Sequence, residues 1–79
     1  MSKPDPMLCA FGKNVRTIRE SKGLTQVALA EKANVHRTYL CDVERGTRNI
    51  SIQIIVRLAT ALGTTAAELC RDIHEPPKM

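Results

Sequence analysis

Tryptophan is absent from the 79 residues, and one phenylalanine and one tyrosine are the only aromatics. Any core must therefore be built from Leu, Ile, Val and Ala, the mixture that favours helices packed on helices. Cysteine occurs three times, at Cys9, Cys41 and Cys70, an odd number with no C-x-x-C pair, which speaks against a disulfide scaffold and the commonest zinc motifs. No charged-then-apolar leader opens the sequence, so the reducing cytoplasm is the expected compartment. No apolar run approaches the ~20 residues a membrane span needs, and no membrane role is expected. Repeats, linkers and low-complexity stretches are also missing. The length accommodates a single domain over 1–79 and is too short for two independently stable cores. Its ordered core is expected over about residues 6–73, with "MSKP" and "EPPKM" as frayed tails.

Charge is what the sequence has in excess. Lys and Arg number 12 against 8 Asp and Glu, a formal charge of +4 and a pI near 9.3, as a small binder of polyanions would have. Three arginines fall in "HRTYLCDVERGTRN", residues 36–49, among hydroxyls, a tyrosine and two acids.

Periodicity and punctuation predict five helices in an all-α domain. Asp5 is a cap and Pro6 a first helical residue, after which Leu8, Phe11, Val15 and Ile18 form one apolar stripe until Gly23. Thr25 caps a short second helix around Ala28, Leu29 and Ala30 that ends near Lys32 or Ala33. Asn34 then stands where a sharp turn needs positive φ. The third helix turns Leu40 and Val43 inward and stops at Gly46, leaving Arg37, Thr38, Cys41 and Asp42 on its other face. Ser51 caps the fourth, whose stripe is Ile52, Ile55, Ala59 and Leu62 with Leu58 beside it, ending at Gly63. Thr65 and Glu68 have capping-box spacing and open a last helix of roughly two turns.

A short helix, a tight turn and a second helix of similar length is helix-turn-helix geometry, which sets the second helix in the DNA major groove. The string "LTQVALAEKANVHRTYLCDVERGTRNIS" resembles the DNA-binding domain of the lambda and 434 phage repressors, an XRE-type family with Gln early in helix two and E-x-G closing helix three. The likeness spans residues 11–70. Its R-T-Y, E-R and R-N elements are most similar to the small controller proteins of restriction-modification systems. The resemblance implies a five-helix, lambda-repressor-like domain whose helices two and three form the helix-turn-helix.

The residues carry roles that agree with this. Arg37, in the first turn of the recognition helix, can bond guanine O6 and N7 together. Thr38 offers a hydroxyl and a methyl to a base edge, and Cys41 and Asp42 continue that face. Asp42 either accepts from cytosine N4 or holds Arg45 or Arg37. For the backbone or grooves the expected contacts are Thr25, Gln26, His36, Tyr39, Arg45, Arg48 and Asn49. The resemblance makes Gln26 a phosphate clamp, although Val27 and Ala28 replace the acids relatives usually carry after it. It also implies an internal ion pair between Arg19 and Glu44. A solvated polar face is the plainer account of Cys41, Asp42, Lys13 and Arg16, and packing alone that of Tyr39.

Palindromic double-stranded DNA and a homodimer are the expected partners, because one small module reaches few base pairs. Ile54, Ala66, Leu69, Cys70 and Ile73 are the expected dimer face. Cys70 with His74 gives two ligands, too few for zinc, and Cys41 with His36 lacks an orienting third group. No catalytic residue, cofactor, metal or small-molecule ligand is expected. The function implied is a sequence-specific regulator acting on its own promoter and a neighbouring gene; an antitoxin-like protein or a phage-type repressor is the alternative.

Overall fold

The computed structural model describes residues 3–75. Five helices follow in order: α1 Pro6–Ser21, α2 Gln26–Ala33, α3 Arg37–Arg45, α4 Ile52–Leu62 and α5 Ala66–Leu69. The ends of "MSKP" and "EPPKM" lie largely outside the described residues.

Side-chain caps begin four of the helices. Asp5 Oδ1 accepts from the Met7 and Leu8 amides at 2.9 and 3.2 Å, Thr25 from Ala28 at 3.1 Å, Ser51 from Ile54 at 3.2 Å and Thr65 from Glu68 at 3.1 Å. Each satisfies amides that have no partner within the first turn of a helix. Only α3 starts bare, since His36 makes no capping hydrogen bond. Between α2 and α3 the chain reverses at Asn34, which sits in the left-handed region at φ 57°, ψ 49°. Gly46 ends α3 and Gly63 ends α4 in the same conformation.

One apolar cluster joins the helices. α1 packs chiefly on α3, α2 bridges α3 and α4, and α5 closes against α4 and α1. Leu29, Leu40, Leu58 and Leu69 are completely buried at its centre, each contributing about 1.5–3 kcal/mol of transfer free energy. Phe11 and Val15 reach it from α1, Val43 from α3 and Leu62 from α4. α1 and α3 approach at Gly12, where a Cβ would collide with the carbonyl oxygens of Val43 and Glu44. Backbone atoms cannot swing aside as a side chain can, so this position sets how closely α3 lies against the rest.

Two expectations need correction. Ile52 is not core but 67% exposed: the inner side of α4 begins with Ile54 and Ile55, and the first helical residue projects beyond the packed stretch. α5 is one turn long, not two. The Asn14 amide takes the carbonyls of Leu69 and Arg71, both at 2.9 Å, and Asp72 adopts φ 61°, so the acceptors that would continue the helix are diverted. The capping box is likewise half formed, because the Glu68 carboxylate faces Arg71 at 3.8 Å.

Candidate nucleic-acid interface

The outer face of α3 carries a guanidinium, a hydroxyl, a thiol and a carboxylate within two turns. Arg37 occupies its first helical position, exposed, with its guanidinium in no ion pair among the described residues. Thr38 is exposed beside it, and Cys41 is half-buried one turn on. The four amides of a helix start have no acceptor within the helix. His36 makes no capping hydrogen bond at the start of α3, so its first amides are left to an acceptor from outside, flanked by Arg37. A shallow depression of about 550 Å³ runs alongside, bounded by Arg16, Thr25, Gln26 and Val27 on one side and Arg37, Cys41 and Arg45 on the other. The start of α2 and the face of α3 thus share one basic surface.

Behind it lies a buried ion pair. Arg19 Nε and Nη2 donate to Glu44 Oε2 and Oε1 at 2.7 and 3.0 Å, while Nη1 donates to the Leu24 carbonyl at 2.8 Å. The side chains are only 10% and 4% exposed. Hydrogen bonding to Glu44 raises the Arg19 pKa further above its ordinary value, and burial opposes this only in part. The pair ties α1 to the last turn of α3, as the resemblance implied. Gln26 belongs to the same network: its Nε2 donates to Glu44 Oε1 at 3.0 Å. The carboxamide expected to meet a phosphate is therefore held from inside, with its carbonyl oxygen and one N–H left over. Thr25 uses its hydroxyl oxygen to cap α2 and retains its proton for an external acceptor.

At the far end of α3 three side chains are interlocked. Asp42 Oδ1 accepts from Arg45 Nη2 at 3.0 Å, and Oδ2 from Arg48 Nη2 at 3.2 Å. These bonds, that to Arg45 first, hold the Asp42 pKa below its ordinary value. Arg37 is not its partner. Arg48 also lies over the Tyr39 ring, 5.2 Å from the centroid, a cation–π arrangement. His36 and Asn49 are exposed at opposite ends of this face.

The expected dimer residues are scattered. Leu69 is completely buried in the core of its own chain and has no surface to give a partner. Ile54 and Ile73 are half-buried against the same core, Ala66 is half-buried, and Cys70 is exposed. The more exposed apolar side chains on α4 are Ile52 and Val56, one turn apart at 67% and 49%. The pairing of Gln26 with Glu44, the Asn14 clamp and the stacking of Arg48 on Tyr39 went unforeseen. Each joins residues from different elements, so no local periodicity announces it. No helix is long and apolar enough to cross a membrane among the described residues, and none of their His, Cys, Asp and Glu side chains are grouped to hold a metal.

Two short helices set across a left-handed turn have helix-turn-helix geometry, and residues 15–69 match the helix-turn-helix family. The chain belongs to that family. Within it, the chain is similar to restriction-modification controllers: it is 47% identical over 60 residues to the control protein C.BamHI of Bacillus amyloliquefaciens, covering 75% of this chain and 74% of that one. The crystal structure of the controller C.AhdI from Aeromonas hydrophila superposes with a TM-score of 0.77 at 45% identity, covering 78% of this chain and 94% of that one. A further match is the controller C.Esp1396I, solved as a tetramer in complex with its natural 35-base-pair operator, with a TM-score of 0.76 and 31% identity over 82% of this chain and 86% of that one.

Proposed function

We infer that this protein is a sequence-specific DNA-binding transcriptional regulator, a restriction-modification controller that acts as a homodimer on its own promoter and a neighbouring gene. The observation that carries the reading is Arg37: a guanidinium in no ion pair among the described residues, exposed at the uncapped start of the second helix of a helix-turn-helix. Such a position points a fork of donors at base edges when the helix enters a major groove, and guanine O6 and N7 match that fork. Thr38 and Cys41 extend the reading face. The start of α2, with Thr25 and Gln26, meets a phosphate, favoured there by the helix dipole. Arg45, Arg48, Asn49, His36 and Tyr39 contact the backbone or the neighbouring groove. Palindromic double-stranded DNA matches the two-fold symmetry of the dimer, and the exposed apolar pair Ile52 and Val56 supports self-association through α4. The protein works by binding rather than catalysis, in the reducing cytoplasm that its three free thiols suit.

Selection from random-sequence duplexes, followed by sequencing, tests the reading, with Arg37→Ala run in parallel at two salt concentrations. A two-fold motif that the variant blurs at one symmetric position is the expected result. Weak, salt-sensitive binding with no motif in either protein would reduce the basic face to nonspecific attraction.

A further inference from the structure

Asp42 is an odd residue to find on the outer face of α3, between Arg37 and Arg45. An acid in the second half of a helix opposes the macrodipole, and Asp is among the weaker helix formers. It also removes one unit of positive charge from a face whose counterpart is a polyanion. Its exposed partners, Arg45 at 64% and Arg48 at 51%, make it a poor source of stability, since such pairs contribute little. What the carboxylate does achieve is geometric. Each oxygen holds a different guanidinium, one from α3 and one from the loop after it. The backbone carbonyl of the same residue accepts from both the amide and the hydroxyl of Thr47, at 3.1 and 3.2 Å, so Asp42 also anchors the start of that loop. Arg48 is thereby steadied twice, by the carboxylate and by the Tyr39 ring beneath it.

We propose that Asp42 is a specificity-determining positioning residue, a carboxylate that splays Arg45 and Arg48 in fixed directions and withholds them from DNA that does not fit. This rests on the DNA-reading function above, and it replaces the expectation that Asp42 itself reads cytosine. On a fitting site the two arginines arrive already ordered, so less side-chain freedom is lost on binding. On any other duplex a phosphate must first take a guanidinium away from the carboxylate. Freed arginines would instead follow phosphates wherever they lie, gaining affinity without sequence information.

The test compares wild type, Asp42→Asn and Asp42→Glu on a selected two-fold duplex and on a scrambled duplex of equal length, across a salt series. Asn keeps the size and the backbone carbonyl but loses the charge. The expected result for Asp42→Asn is severalfold tighter binding to the scrambled duplex, a salt slope steeper by about one, and about tenfold poorer discrimination. Asp42→Glu restores most of the discrimination. Wild-type discrimination and salt slope in Asp42→Asn would overturn the proposal. So would equal weakening on both duplexes with a lowered Tm, which marks a merely structural residue. A wild-type protein that cannot distinguish the duplexes overturns the DNA-reading function as well, whereas discrimination unchanged by the substitution overturns the positioning role alone.

Discussion

Replacing Arg19 with Met should remove a large share of the stability of this domain. The guanidinium and the Glu44 carboxylate meet through two hydrogen bonds of 2.7 and 3.0 Å, with side chains 10% and 4% exposed. At about 3 Å and an effective dielectric constant of about 20, their attraction is roughly 5 kcal/mol. Desolvation costs several kcal/mol per ion, so the intact pair adds little net stability. Truncating one partner is different, because Glu44 stays buried while its cation is gone, Gln26 alone remains to donate to it, and the Leu24 carbonyl loses Arg19 Nη1. The expected loss is about 3–5 kcal/mol, against a total stability of about 5–15 kcal/mol for a typical domain. At about 4–8 °C per kcal/mol, Tm falls by on the order of 20 °C. Thermal and urea unfolding followed by helical circular dichroism measures this. The double variant Arg19→Met, Glu44→Leu removes both charges and should recover most of the loss. A single variant that loses less than about 1 kcal/mol, as an exposed pair would, refutes the reasoning. A double variant as unstable as the single does so too.

Three further outcomes are expected. Ile52→Glu should leave the fold intact, since Ile52 is 67% exposed, and weaken self-association in sedimentation equilibrium; undiminished association would take α4 out of the dimer interface. The Asp42 carboxyl should titrate below the ordinary Asp range, and its midpoint should climb in Arg45→Ala, whose hydrogen bond is the main cause. A depressed carboxylate pKa means that the clamp's contribution is present above the unfolded value and is lost as pH falls through the lowered folded value; a carbon-detected NMR titration with the same midpoint in both proteins would deny the interaction. Alkylating Cys41 in a Cys9→Ala, Cys70→Ser background should weaken operator binding, because Cys41 borders the depression shared with Arg37; unchanged affinity would place the thiol away from DNA.

Most of the helices are legible in the sequence because their signals are local. A cap at Asp5, Thr25, Ser51 or Thr65 acts on an amide two or three residues away. The positive φ of Asn34, Gly46 and Gly63 is a property of single residues. Steps of three and four among Phe11, Val15, Leu40 and Val43 carry the buried stripes for the same reason. The basic face of α3 follows from that periodicity once Leu40 and Val43 turn inward.

Partnership is another matter. In the chain Arg37, Arg45 and Arg48 are alike, yet among the described residues folding leaves the first without an ion pair and ties the other two to one carboxylate. Gln26 meets Glu44 across 18 positions and Asn14 meets Leu69 across 55, distances over which spacing carries no geometric information. Ile52 and Leu69 show the same gap for apolar residues: both sit on apolar helix faces, but the core reaches one and stops short of the other. Local pattern says which way a side chain faces along its own helix, and only the packing of helices against each other decides whether anything is there to meet it.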